Sequence, residues 1–151
     1  MAMKGKAVVF WSGSLMSGKG HAELESGAVG KFPIACPKEG SSPEGKSGPE
    51  ELLAAAHASC FSMALSQVLT MQRNSKIEQL RVEITTTLDQ VKEDEPYIIT
   101  REEIDITGKV GDMDEVGFIQ VVEKAKTMCA VGLALKGNVE MVYNINFNSV
   151  E

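Results

Sequence analysis

The sequence predicts an α+β domain with mostly antiparallel strands around a buried central helix. Three observations carry this. Leu52–Met71 is an apolar stretch with no formal charge, long enough for a core helix. Residues 80–89 and 139–147 alternate apolar and polar side chains with period two, as half-buried strands do. Between them lies a second stretch with apolar residues at helical spacing, which gives the order ββ(β)–α–ββ–α–β.

Each element has its own local signal. Lys4–Trp11 and Gly18–Ser26 read as two strands joined by the glycine-bounded loop Ser12–Ser17. Gly27 to Gly48 is the least regular segment, rich in Gly, Pro and Ser, with a short strand at Lys31–Ala35. A loop of that length is a surface loop or a functional one. The helix opens at Ser47-Gly-Pro-Glu-Glu51: Pro49 suits the first turn, and Glu50 and Glu51 sit at the positive end of the dipole. It runs to about Arg73-Asn74. Leu80, Val82, Ile84, Thr86 and Leu88 then define one face of a strand, Lys92–Pro96 a turn, and Tyr97–Thr107 the returning strand. Asp112 or Asp114 can cap the second helix, whose apolar stripe is Phe118, Val121/Val122, Ala125 and Met128/Cys129. Ala130–Leu135 reads as a further helical turn stopped by Gly137. Val139, Met141, Tyr143, Ile145 and Phe147 form the last strand.

Composition narrows the function. With 151 residues the chain is expected to be one domain, 1–151. Lys and Arg number 15 against 21 Asp and Glu, a net charge of −6, so nucleic acid is not the expected partner. The N-terminus lacks the apolar run and cleavage site of a signal peptide. Leu52–Met71 carries His57, three serines, Gln67 and Thr70, too polar for a lone spanning helix. No membrane partner is expected, and the default location is the cytoplasm.

Chemistry is concentrated around the cysteines. Cys36, Cys60 and Cys129 are three in number and widely spaced, which fits neither a disulfide scaffold nor a structural zinc site. Cys60 lies mid-helix in Ala56-His57-Ala58-Ser59-Cys60-Phe61, and Cys129 closes the apolar stripe of the second helix. Each could be a small buried hydrophobe, as most free cysteines are. His57 is a helical neighbour of Cys60 and could serve it as a base, although a lone His on an apolar helix is more often packed and hydrogen-bonded. Glu50 could be only a partner of the helix dipole.

Three blocks, in order, resemble one family. Gly48-Pro49-Glu50-Glu51 through Ala56-His57-Ala58-Ser59-Cys60-Phe61 to Ser66 resembles the central helix of the OsmC/Ohr proteins, the osmotically inducible and organic hydroperoxide resistance proteins, and is most like the OsmC branch. Trp11-x-Gly13 with Gly18-Lys19-Gly20 is similar to that branch's first hairpin, and Lys124-Ala125-Lys126-x-x-Cys129-x-Val131 to its second cysteine segment. The resemblance implies an intertwined homodimer acting as a thiol peroxidase on organic hydroperoxides, with hydrogen peroxide left open. By the same resemblance Cys60 would be the peroxidatic thiolate, passing through a sulfenic acid, and Cys129 the resolving thiol that closes a Cys60–Cys129 disulfide. An external dithiol of lipoyl type would reduce it, and no metal, haem or flavin cofactor would be needed. Glu50 matches the family's site glutamate, which holds an arginine near the reactive sulfur.

Two departures from the family pattern bear on this. The three arginines, Arg73, Arg81 and Arg101, all lie outside the loop that supplies the family's arginine, where this chain reads Cys36-Pro37-Lys38-Glu39-Gly40. Cys60 is about three turns into its helix, beyond the reach of that helix's dipole, so a nearby cation is expected to activate it. Lys38 is the candidate and Lys46 its rival, and Lys offers a point charge without the fork of donors that Arg has. Ala130 stands where relatives have proline. The alternative to an efficient peroxidase is therefore a redox-sensing or non-enzymatic dimer of the same fold, and an apolar-pocket carrier is a third reading. Glu50 and Cys60 are ten residues apart on one helix, about 15 Å. If Glu50 serves the site, it is expected to come from the partner chain. Cys129 is expected to resolve Cys60 in preference to Cys36, because packed helices hold sulfurs in register better than a loop does.

Overall fold

The chain starts with a meander whose geometry is set by one tryptophan and two glycines. A computed structural model describes residues 1–37, 44–72 and 75–149. Strands β1 (Ala7–Ser12), β2 (Lys19–Leu24) and β3 (Phe32–Ile34) form an antiparallel sheet in that order. Trp11 pairs with Gly20. A methyl group on Gly20 would stand 2.5 Å from the indole, and one on Gly18 2.6 Å, so only glycine lets the ring lie across β2. This is the physical content of the Trp11…Gly18-Lys19-Gly20 pattern. With the segment up to Leu52 the meander makes one compact unit, and Leu53–Glu151 makes the other.

Helix α1 (Pro49–Gln67) begins at the predicted proline and continues into one π-helical turn, Val68–Gln72. His57, Phe61, Ala64, Leu65, Val68 and Leu69 are its buried face. By length and composition alone, Pro49–Met71 is long and apolar enough to cross a membrane, with a mean hydropathy of 1.5 over its most apolar window, and a third of that window is buried. Met63, on the opposite face, is 70% exposed.

The second unit is built on a three-stranded sheet with β5 in the middle. Strands β4 (Ile77–Asp89) and β5 (Ile98–Val110) form the expected antiparallel hairpin, each reaching further than the alternation alone marks. The pairing slips at Ile77/Gln79 and at Thr87/Leu88, and such bulges blur a period-two pattern. Helix α2 (Glu115–Lys126) follows, and of the two candidate caps Asp114 takes the role: its Oδ1 accepts from the Gly117 N–H at 2.8 Å. Asp112 instead occupies a turn position with φ of 61°. Then come α3 (Ala130–Leu135) and β6 (Glu140–Ser149). β6 pairs with β5 in parallel, so the sheet is mixed. The two helices between β5 and β6 carry the chain back across the sheet, and such a crossover is what parallel pairing requires.

One apolar cluster fills this unit. Phe61, Leu65, Val68 and Leu69 of the helical segment meet Ile104, Ile106 and Val110 of β5 and Phe118, Val121, Val122 and Ala125 of α2. Cys129 belongs to the same cluster, and Cys60 packs against it.

Candidate active site

The first turn of α3 organises the two sulfurs. Cys129 is its N-cap, with extended backbone (φ −75°, ψ 108°), and its Sγ accepts from the Gly132 N–H at 3.4 Å. The next two amides, Val131 and Ala130, hydrogen-bond to the Cys60 sulfur, and the Cys129 thiol does so as well. Burial pushes the Cys60 thiol up. The Val131 amide, the Cys129 S–H and the Ala130 amide outweigh it, and the net result lies below the ordinary cysteine value. Cys129 goes the other way. Burial first, then the hydrogen bond it shares with Cys60 and the Cys60 charge, push it up to about 11, against the opposing Gly132 and Val131 amides. Of the two thiols, Cys60 is therefore the one that gives up its proton first.

The donors on Cys60 among the described residues come from the start of a different helix, which the sequence does not reveal. Among the described residues, every group that lowers the Cys60 thiol is a backbone amide or the Cys129 thiol. Ala130 takes on meaning here: an alanine keeps the N–H that a proline would lack.

Lys38, the expected cation, lies outside the described residues, as does Arg73. Arg81 is paired with Glu83, and Arg101 with Glu103 at 3.0 Å and Glu140 at 3.1 Å. Glu50 sits in the first turn of α1, and its Oε1 is buried without a hydrogen-bond partner among the described residues. Its neighbour Glu51 accepts from Ser47 Oγ at 2.9 Å. Cys36 belongs to the N-terminal unit, half-buried, with its Sγ 3.5 Å from the Pro37 carbonyl oxygen.

His57 is fully buried, and its ring has a partner that the sequence reading missed. His57 Nδ1 donates to Glu102 Oε2 at 2.5 Å, and Glu102 Oε1 accepts from Thr86 Oγ1 at 3.0 Å. Glu102 is also fully buried. The signal was a phase: Glu102 occupies the same inward series of β5 as Ile104, Ile106 and Val110. A carboxylate in register with a core face needs a buried partner. No group of three or more His, Cys, Asp and Glu side chains among the described residues is placed to hold a metal ion.

Such a sulfur pair, one thiol acidified by amides and one kept protonated by burial, suits two-step thiol redox chemistry. Known proteins bear on the same point. The model of the OsmC-like protein family matches residues 42–144. Peroxiredoxin OsmC of Escherichia coli is 30% identical over 145 residues, covering 96% of this chain and 99% of that protein. Organic hydroperoxide resistance protein-like 2 of Staphylococcus saprophyticus is 32% identical over 116 residues, 76% of this chain and 79% of that one. Among solved structures, the organic hydroperoxide resistance protein OhrB of Bacillus subtilis superposes with a TM-score of 0.73 at 25% identity, covering 93% and 98% of the two chains. The organic hydroperoxide resistance protein of Elizabethkingia anophelis shares the fold, with a TM-score of 0.75 at 22% identity over 98% and 100%. The match spans the central helix, the α3 turn and both cysteines, and on that ground the chain belongs to the OsmC-like protein family.

Proposed function

We propose that the chain is a thiol-dependent peroxidase that reduces organic hydroperoxides. The observation that carries this is the Cys60–Cys129 pair, with its amide donors on Cys60, in a chain whose relatives are a peroxiredoxin and organic hydroperoxide resistance proteins. The Cys60 thiolate attacks one peroxide oxygen. The O–O bond breaks, the sulfur becomes a sulfenic acid, and the alkoxide leaves with a proton as the alcohol. Cys129 then displaces the sulfenic hydroxyl as water and closes the disulfide. An external dithiol of lipoyl type returns both sulfurs to thiols.

Two features of this reading concern partners. A homodimer is supported by apolar surface that one chain leaves bare: a third of the apolar window of α1 is buried, and Val8, Val9, Phe10 and Trp11 of β1 are each at least 40% exposed. A second copy would cover such faces. Glu50, with an unpaired buried oxygen, is suited to hold a cation, and Lys38 is the proposed one.

The test is consumption of cumene hydroperoxide by the reduced protein with dihydrolipoamide as reductant. Turnover that vanishes in Cys60→Ser supports the reading. Turnover that survives it, or none in the wild type, overturns it. Sedimentation of the same samples reads the dimer.

A further inference from the structure

We infer that His57 is the proton acceptor for Cys129 when it resolves an oxidised Cys60, with Glu102 holding the imidazole in place. This rests on the peroxidase reading for its biological setting, but the proton transfer itself belongs to any reaction in which Cys129 attacks a sulfur at Cys60.

The argument begins from an unpaired atom. His57 Nε2 is buried and has no hydrogen-bond partner among the described residues. Its other nitrogen is committed to Glu102, whose second oxygen is committed to Thr86. A carboxylate partner fixes the proton on Nδ1 and leaves Nε2 as a lone-pair acceptor. Were Nε2 protonated instead, a buried N–H would have no acceptor, at a cost that the fold would have to absorb.

Geometry says what that lone pair faces. A methyl group built on Gly132 would stand 3.0 Å from His57 Nε2 and 3.5 Å from Cys129 Sγ. Both atoms therefore border the same small space, kept open because residue 132 has no side chain. The titratable groups around it are Glu102 on β5, Cys60 on α1, Cys129 at the start of α3 and Tyr143 on β6, whose hydroxyl is pushed up to about 12 by burial and by Cys129, Glu102 and Glu123. Lys126 lies over the Tyr143 ring at 4.0 Å and pairs with Glu123.

A need for the acceptor arises only after the first step. In the reduced protein the Cys129 thiol hydrogen-bonds to the Cys60 sulfur, which accepts it most strongly as the thiolate. Once Cys60 is oxidised, that anion is gone, and burial leaves Cys129 a poor acid. In the resolving step the Cys129 S–H bond breaks and its proton passes to Nε2. The sulfur's electron pair forms the S–S bond while the Cys60 S–O bond breaks. The departing hydroxide takes the proton back from Nε2 and leaves as water. Cys60 sulfenic acid and Cys129 thiol thus become disulfide and one water, with no other reactant.

The experiment loads Cys60 with a chromophoric aromatic thiol as a mixed disulfide, in a Cys36→Ser background, and follows release of that thiol as Cys129 attacks. No peroxide is involved, so the result stands apart from the peroxidase assay. Release from the otherwise wild-type protein should be nearly independent of pH around neutrality. In His57→Gln it should slow by about 10²-fold or more and rise tenfold per pH unit towards the range where Cys129 ionises unaided. Glu102→Gln, which keeps an acceptor for Nδ1, should show a smaller slowing with the same change of profile. Alkylation of reduced Cys60 in His57→Gln serves as the structural control, since its acidity reports the α3 amides. Wild-type release rates in His57→Gln would overturn the inference. A uniform slowing at all pH values, or a displaced Cys60 alkylation profile, would also overturn it, by showing that the ring only holds α1 against α3.

Discussion

Cys60 and Cys129 share a hydrogen bond and pack on one apolar cluster, yet their surroundings drive the two thiols in opposite directions. Cys60 is half-buried and receives two amides and a thiol proton. Cys129 is 1% exposed and caps the helix whose amides serve its neighbour. The difference teaches that backbone amides and burial together set the polarity of this pair. At one helix start the Ala130 and Val131 amides act on Cys60, Gly132 and Val131 act on Cys129, and the deeper burial of Cys129 keeps its proton in place.

The largest effect expected from breaking this comparison is at Cys60 itself. Cys60→Ser should reduce hydroperoxide turnover to background, since a serine hydroxyl is no substitute for a thiolate. Cys129→Ser should behave differently: Cys60 still oxidises in one turnover, and the sulfenic acid accumulates where it can be trapped with dimedone and weighed by mass spectrometry. If non-reducing peptide maps of the wild type show Cys36 linked to Cys60 in place of Cys129, the assignment of the two roles fails.

Next in size is the loss of one donor. Ala130 occupies the first position of α3, where proline is well tolerated, and Cys129 before it is already extended. Ala130→Pro should therefore keep the fold and delete one N–H. Alkylation of Cys60 at neutral pH should slow by about tenfold, the size of one hydrogen bond to a charged sulfur, with its profile moved to higher pH. An unchanged profile would mean that the charge on Cys60 is held elsewhere, with Lys38 the first place to look.

The smallest effect is on stability in alkali. A thiol whose folded value is raised keeps its proton while the unfolded chain loses its own. Cys129 thus adds stability that is fully present below about pH 9 and is lost as the pH rises towards about 11. Cys60, lowered in the fold, gains its contribution on the way up to pH 9 and then holds it. Urea unfolding under reductant should show stability falling between pH 9 and 11 by an amount on the order of 1–2 kcal/mol, and Cys129→Ala should flatten that part of the curve. A slope that is the same in Cys129→Ala would assign the fall to other groups, Tyr143 first.

Much of the fold was readable because it is local. The proline and paired glutamates start α1 where expected, the alternation of 80–89 marks β4, and the stripe of Phe118, Val121 and Ala125 is the buried side of α2. The choice between Asp112 and Asp114 was not readable, because either residue type suits either position and only the backbone turn decides. Nor was the parallel pairing of β6, since period two says which faces are buried and nothing about direction. At the site, the sequence pointed to both cysteines but not to the α3 amides that act on Cys60, and it left His57 without its partner Glu102.

What the sequence by itself determined is the set of elements and the chemical types they carry: an apolar helix with a thiol in it, a second thiol at the end of an amphipathic helix, and a first hairpin with a glycine-bounded loop. These follow from side-chain periodicity and steric size, which act over a few residues. Only the tertiary structure decided that the amides of Ala130 and Val131 meet Cys60, and that Glu102, on the inner face of β5, meets His57 of α1 through one oxygen and Thr86 of β4 through the other. Those are contacts between segments far apart in the chain. Backbone N–H groups are the same at every residue but proline, so no pattern of side chains can say which of them will end up facing a sulfur.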